Sequence, residues 1–196
     1  MPSTVSLPET TRRTLLFAAA VAWLPARATE RPVDRALRAA AERNDLALFE
    51  SLIQQGADVN ARDPQQDSAF LIAARNGHAR LVRVALAVGA DIRALNRYGS
   101  TALMGPAYRG HVETVRLLLA TPIDIHHANN LGWTALLETI VLGSDGSVHR
   151  EIVRLLIERG SDVNARDRDG MRALQLAEQR GQADVVRMLL AAGARR

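Results

Sequence analysis

The stretch "TALMGPAYRGHVETVRLLLA", residues 101–120, contains two short helical patterns separated by a Gly-His pair. It is one copy of a recurring pattern, because "SAFLIAARNGH" begins at residue 68 and "TALLETIVLGS" at residue 134. With "RALRAAAERND" and "RALQLAEQRGQ", the five copies start at residues 35, 68, 101, 134 and 172, at intervals of 33, 33, 33 and 38. A period of this size indicates a solenoid of stacked units.

Each copy predicts two helices joined by a turn. Ser, Thr or a substitute stands where the first helix needs an N-cap. Gly77 and Gly110 stand where a left-handed residue would end that helix. Val115 and Leu118 then mark the buried face of a second helix. A turn-rich segment such as "GADVNARD" (56–63) leads into the next copy.

Longer motifs within the copies resemble the ankyrin repeat family: "GADVNARD" (56–63), "GADIRALNRYGSTAL" (89–103), "NNLGWTALLE" (129–138) and "GSDVNARDRDGMRAL" (160–174). The resemblance implies an all-α solenoid of five helix-turn-helix repeats with β-turn fingers. The expected ankyrin domain is 29–196, with repeats at about 31–61, 62–94, 95–127, 128–165 and 166–196. The Pro and His of the family's Thr-Pro-Leu-His start are missing from every copy, which should weaken hydrogen bonding between repeats without changing the fold.

The N-terminal residues "TTRRTLLFAAAVAWLPARA" (10–28) have the layout of an export signal. A charged start precedes ten apolar residues, which are too few to span a bilayer, and small residues precede a cleavage site expected after Ala28. We expect residues 1–28 to be a signal peptide and the mature chain to reach a bacterial periplasm. Arg12 and Arg13 resemble the twin-arginine motif. The Lys often found after that motif is absent, so the general export pathway stays open.

Composition excludes several kinds of chemistry. The 196 residues include no cysteine, so disulfides, thiolate metal sites and cysteine nucleophiles are excluded. All 25 basic residues are Arg, which removes lysine-based catalysis. The formal net charge is +4 and the charges are interspersed, so nucleic-acid binding is not expected. No second apolar run of membrane length follows the signal, and no cofactor is expected.

The resemblance implies that a partner protein binds the concave face, which the fingers and first helices form. Of the five aromatic residues after the signal, three fall there: Tyr98, Tyr108 and Trp133. Tyr, Trp and Arg are common anchors of protein interfaces. The candidate partner-binding residues are Arg97, Tyr98, Ser100, Tyr108, Arg109, Asn130, Leu131, Trp133, Val141, Leu142, Arg168 and Met171. The expected partner is one protein of unknown identity, and the chain is expected to be a monomer.

Several features have more than one interpretation. Trp133 stands where ankyrin repeats often carry Trp for ordinary packing, and Tyr108 can simply cover a neighbouring helix. Pro106 lies within a first helix, where it predicts either a mild kink near the helix start or a reshaped concave face beside Tyr108. The five extra residues near "GSDGSVHRE" (143–151) predict a tolerated loop opposite the fingers. The alternatives are a secondary contact or a longer second helix capped by Ser147.

The leading hypothesis is a non-catalytic interaction protein of the periplasm. Exported bacterial ankyrin proteins suggest either an accessory to an oxidative-stress enzyme or an immunity protein against a toxin. The alternative is a metal-binding or enzymatic protein that uses His126, His127, Asp145 and His149. Against it, adjacent residues of an extended finger point to opposite sides, and zinc-type spacing is missing. The carboxylates that recur once per repeat are interpreted as turn residues: Asp58, Asp91, Asp124 and Asp162.

Overall fold

The computed structural model describes residues 30–195, a range that consists of ten α-helices joined by short turns. The helices are α1 (Pro32–Glu42), α2 (Leu46–Gln54), α3 (Ala69–Arg75), α4 (Ala79–Ala87), α5 (Met104–Arg109), α6 (Val112–Leu119), α7 (Ala135–Leu142), α8 (Ser147–Glu158), α9 (Ala173–Gln179) and α10 (Ala183–Ala191). The all-α solenoid of five repeats predicted from the sequence is confirmed. The expected signal peptide, 1–28, lies outside the described residues.

The first helices of the repeats, α1, α3, α5, α7 and α9, pack against one another in chain order. The second helices, α2, α4, α6, α8 and α10, do the same. Ala41, Ala74 and Ala107 recur every 33 residues and are fully buried, so their small side chains let neighbouring helices approach closely. One apolar core therefore runs through the stack. None of the helices within residues 30–195 has the length and apolar character that crossing a bilayer requires.

The starts of the first helices differ between repeats. Ser68 and Thr134 cap α3 and α7 as expected, because each hydroxyl accepts the backbone N–H three residues further on, at 3.3 Å. The same prediction is wrong for Thr101, since α5 begins only at Met104 and has no side-chain cap. Pro106 is the third residue of α5, so its missing N–H falls in the first turn, where no helical bond is lost. Pro106 is thus tolerated near the helix start.

The turn that ends α3 depends on Gly77. Its φ is +76°, a left-handed conformation that residues with a Cβ rarely adopt. The imidazole ring of His111, from the next repeat, lies directly against Gly77, and a Cβ there would overlap the ring. Gly143 occupies the corresponding place after α7, but its backbone is extended, with φ −78° and ψ −175°. The fourth repeat therefore leaves its first helix by a different route.

The five extra residues of the fourth repeat are divided between a loop and a helix. The loop comprises residues 143–146, and α8 begins at Ser147 with Gly146 as its N-cap. Counting back 33 residues from Ala183, the first residue of α10, the regular start of α8 would be Arg150. The helix has thus gained about one turn, and it is 12 residues long. The longer-helix interpretation holds, although Ser147 is the first helical residue and not the cap.

The recurring carboxylates act as turn residues, as predicted. Each side chain accepts the backbone N–H two residues further on, at 2.8–2.9 Å. The four are Asp58, Asp91, Asp124 and Asp162. This hydrogen bond shapes the chain between the second helix of one repeat and the next finger.

Replacing Gly77 by Ala should destabilise the fold more than replacing Gly181 by Ala. Both glycines have a left-handed φ, which costs Ala roughly 1–2 kcal/mol. Only at Gly77 does the added Cβ also meet a neighbouring side chain, the ring of His111, whereas Gly181 has open space around it. Chemical denaturation followed by circular dichroism measures both changes. Equal losses would show that the His111 contact is not part of the turn.

Candidate functional site

Four fingers project from residues 30–195, and each is a tight turn closed by its own backbone. In one of them, Asn96 N donates to Ser100 O at 3.1 Å and Gly99 N donates to Asn96 O at 2.9 Å. The side-chain oxygen of Asn96 also accepts the N–H groups of Tyr98 and Ser100, at 2.9 and 3.0 Å. The same side-chain bonds recur in the other fingers, at Asp63, Asn129 and Asp167.

Neighbouring fingers are joined by backbone hydrogen bonds near their tips. The bonds run from Arg97 N to Gln65 O (3.3 Å), from Asn130 N to Tyr98 O (2.9 Å) and from Arg168 N to Leu131 O (3.3 Å). They connect the four turns into one row. Side chains at the tips are therefore held at set distances from those of the next repeat.

A groove of about 570 Å³ lies between the fingers and helices α3, α5 and α7. This volume is within the usual range for sites that enclose a ligand group. Tyr98, Tyr108 and Trp133 all line it. Tyr98 is 57% exposed, whereas Tyr108 and Trp133 are half-buried. Trp133 also packs against the core, so it has the ordinary packing role as well as a face in the groove.

The structure places most of the predicted partner-binding residues in this groove. Those that line it are Arg97, Tyr98, Ser100, Tyr108, Asn130, Leu131, Trp133 and Leu142. Leu131 and Leu142 are 54% and 50% exposed, which leaves apolar surface at the groove. The predicted residues outside the lining are Arg109, Val141, Arg168 and Met171. Ser100 is only 6% exposed, and its backbone closes its finger turn, so it offers a partner little surface.

Two arginines lie over the tyrosines of the groove. The guanidinium of Arg97 is 4.7 Å from the centre of the Tyr98 ring, and it donates to the Tyr98 hydroxyl at 2.7 Å. The guanidinium of Arg109 is 5.4 Å from the centre of the Tyr108 ring and donates to that hydroxyl at 3.0 Å. Such cation–π contacts orient both partners. Each tyrosine is therefore held by the arginine beside it in the sequence.

A small ion-pair network occupies the part of the groove nearest the N-terminus. Arg75 bonds Asp67 at 2.9 Å and Glu42 at 2.7 Å. Burial raises the pKa of Asp67, and the charge of Arg75 opposes that shift. Both Asp67 and Arg75 line the groove, so its lining carries an ion pair at this end and the three aromatic residues further along.

Glu138 lines the groove from α7 and is only 7% exposed. Its Oε2 accepts the side-chain N–H of Asn129 at 3.2 Å, the residue that also closes the finger carrying Trp133. Burial of the carboxyl raises the pKa of Glu138 to about 7, and the bond from Asn129 offsets only part of that rise. A buried carboxyl that titrates near neutral pH is a feature typical of functional sites.

Sequence reasoning missed Glu138 as a site residue, although the repeat contained the signal. The corresponding residues of the other repeats are apolar: Ala39, Ile72, Gly105 and Leu176. Burying an ionisable residue at an otherwise apolar repeat position costs free energy, which makes that residue a candidate for a functional role. Glu138 is identified when the five copies are compared for their differences as well as for their shared motif.

Two histidines of the metal-binding alternative join neighbouring repeats in the structure. His127 Nε2 donates to Gly99 O at 2.7 Å, and His149 Nε2 donates to Tyr108 O at 2.8 Å, so each ring joins two repeats. His126 is exposed, and the backbone oxygen of Asp145 accepts from Arg150 at 2.6 Å. Residues 30–195 include no group of three or more His, Cys, Asp or Glu side chains placed to hold a metal ion.

Replacing Glu138 by Gln should change the pH dependence of stability. The pKa of Glu138 is higher in the folded chain, about 7, than its ordinary value of 4.5, so the folded state holds this proton more tightly. The wild-type protein should therefore lose stability relative to E138Q as pH rises from about 4.5 to 7, by on the order of 1–3 kcal/mol. Urea denaturation of both proteins across this range measures the difference. A difference independent of pH would contradict the assignment.

Comparison with known proteins agrees with the architecture. A family model of ankyrin repeats (three copies) matches residues 37–129 and 107–195. The putative ankyrin repeat protein YahD of Escherichia coli (strain K12) is 41% identical over 58 residues, which are 30% of this chain and 29% of the length of that relative. The crystal structure of an ankyrin repeat domain from Acinetobacter baumannii AYE matches with a TM-score of 0.78 and 47% identity, over 81% of each chain. The chain thus belongs to the ankyrin repeat family, whose members generally act as non-catalytic scaffolds for protein–protein interaction.

Proposed function

We propose that this chain is a non-catalytic scaffold that binds one partner protein on its concave face. The observation that carries the proposal is the meeting of Tyr98, Tyr108 and Trp133 in one groove. They are three of the five aromatic residues after residue 28, and the other two, Phe49 and Phe70, are fully buried in the core. Aromatic side chains in a pocket are the usual anchors of protein interfaces.

The surroundings of the groove also suit a protein partner. Leu131 and Leu142 add exposed apolar surface, and the ring-stacked Arg97 and Arg109 add charge beside the aromatic residues. Polar groups around an apolar centre are the common arrangement of a protein interface. The hydrogen-bonded row of fingers fixes the backbone of Arg97, Tyr98 and Leu131 before binding, which lowers the entropy that association costs.

The proposal includes export of the chain to a bacterial periplasm and action there as a monomer. It is supported by the charged start, short apolar stretch and small residues of segment 10–28. The relatives from Escherichia coli and Acinetobacter baumannii are consistent with a bacterial source. Two roles fit such a scaffold: an accessory to an oxidative-stress enzyme and an immunity protein against a toxin. Identification of the captured partner distinguishes these two roles.

Replacing Tyr98, Tyr108 and Trp133 together by Ala should abolish partner binding. Anchor residues of this kind contribute about 2 kcal/mol or more each, so the loss of one alone should cost at least about 30-fold in affinity and the loss of all three should cost more. The measurement is capture from a periplasmic extract by the tagged chain, with circular dichroism to establish that the variant is folded.

The matched control removes exposed apolar side chains elsewhere on the stack. Val88 and Leu190 are 47% and 45% exposed and do not line the groove. The double variant Val88→Ala, Leu190→Ala should capture the partner as the wild type does. Unchanged capture by a folded triple variant, or equal loss in the control, would refute binding through the groove.

Expression of the full chain in a bacterium should give a periplasmic protein that lacks residues 1–28. Signal peptidase cleaves after small residues, and Ala28 provides the expected site. Intact mass spectrometry of the periplasmic and cytoplasmic fractions measures the cleavage and the location together. The variant Arg12→Gln, Arg13→Gln should block export if the twin-arginine pathway is used. A chain of full mass confined to the cytoplasm would refute export.

A further inference from the structure

The carboxylate of Glu138 is buried beside the groove, and only one of its two oxygens accepts a hydrogen bond. Oε2 accepts from Asn129 at 3.2 Å, and this is the one hydrogen bond of the carboxylate within residues 30–195. Glu138 is 7% exposed and contributes to the lining of the groove. One oxygen of a desolvated carboxylate is thus available to a group that enters the groove.

The cations near the groove are occupied by other groups. Arg75 is held by Asp67 and Glu42, at 2.9 and 2.7 Å. Arg97 and Arg109 are held by the ring and hydroxyl of Tyr98 and of Tyr108, respectively. Within residues 30–195, no ion pair reaches Glu138. The ionised carboxylate therefore has no counter-ion of its own.

The walls of the groove favour a cation as the missing group. Tyr98, Tyr108 and Trp133 line the groove together with Glu138, and aromatic faces attract cations. A guanidinium suits this set best, because its flat faces stack on aromatic rings while its N–H edge donates to a carboxylate. It is also less strongly hydrated than an ammonium group, so it loses less on entering a groove.

We propose that the groove receives an arginine side chain of the bound partner protein, whose guanidinium donates to Glu138 between the aromatic side chains. This inference rests on the proposed function, since it names the group of the partner that the groove recognises. Glu138 is then the residue that determines specificity, while the aromatic residues provide the contact surface.

A structural role does not require the charge of Glu138. The finger that carries Trp133 needs only an acceptor for the N–H of Asn129, and the amide oxygen of Gln supplies one. E138Q therefore keeps the shape and the finger bond and removes only the negative charge. E138L, which imitates Leu176 of the fifth repeat, removes both the charge and the acceptor.

The experiment uses the ¹⁵N-labelled full chain at pH 8 and short peptides as probes. The probes are acetyl-Gly-Arg-Gly-amide and the same peptide with lysine or with citrulline, the neutral analogue of arginine. Titration is followed through the indole N–H signal of Trp133 and the side-chain amide of Asn129. The arginine peptide should shift both signals with a Kd on the order of 1 mM. The lysine peptide should bind more weakly, and citrulline should bind at least about 5-fold more weakly.

E138Q should reduce binding of the arginine peptide at least about 5-fold, to the level of citrulline on the wild type. Equal binding of arginine and citrulline, or unchanged binding to a folded E138Q, would overturn the inference, and so would a lack of any shift with the arginine peptide. Partner capture then separates this inference from the proposed function. Loss in the triple aromatic variant with full capture by E138Q overturns only the role of Glu138. Full capture by both variants overturns the proposed function as well.

Discussion

The side-chain oxygen at the base of each finger is the interaction on which the rest of the structure depends. Each of these oxygens accepts hydrogen bonds from two backbone N–H groups of its own turn. These N–H groups lie outside the helices and therefore have no helical hydrogen-bond partner. The oxygens belong to Asp63, Asn96, Asn129 and Asp167. The first three are 33 residues apart, so one turn recurs at one place in successive helix pairs. Tyr98 and Trp133 sit on these turns, and the groove is a consequence of that repetition.

The fourth repeat differs from the regular repeats in the length of its second helix and still bonds the repeat before it. Its extra residues lengthen α8 by about a turn and move His149 from the residue before the helix into the helix itself. His149 donates to Tyr108 O, at 2.8 Å, and Gln182, at the same place in the fifth repeat, donates to Ile140 O at 3.1 Å. The corresponding His78 has no partner at Nε2 within residues 30–195, so this bond between adjacent repeats belongs to the C-terminal part of the stack. A solenoid is tolerant of this kind of change because each repeat contacts only its neighbours.

Repetition made the fold and the position of the groove predictable from the sequence. The period aligns the five copies, and the resemblance to ankyrin repeats then implies that Tyr98, Tyr108 and Trp133 lie on the concave face. The structure differs from the sequence-based predictions only at individual residues. A period indicates where a backbone lies but not how a short side chain turns, so the burial of Ser100 was not foreseen. Helix α5 starts late because of the local backbone geometry of "TALMGP". The other copies have a different sequence here, so they do not indicate this start. Glu138 was overlooked because motif comparison emphasises likeness, and its signal was a difference.

The division of roles between the aromatic residues and Glu138 follows from their physical chemistry. Aromatic faces accept many kinds of side chain, so they contribute affinity with little discrimination. A buried carboxylate discriminates, because a partner that covers it with an apolar group leaves it desolvated and unpaired, at a cost of at least about 1–3 kcal/mol. A partner that brings a cation removes that cost and gains a charge-assisted hydrogen bond. The free energy that burial of Glu138 costs the free protein is therefore the source of discrimination against a partner without a cation.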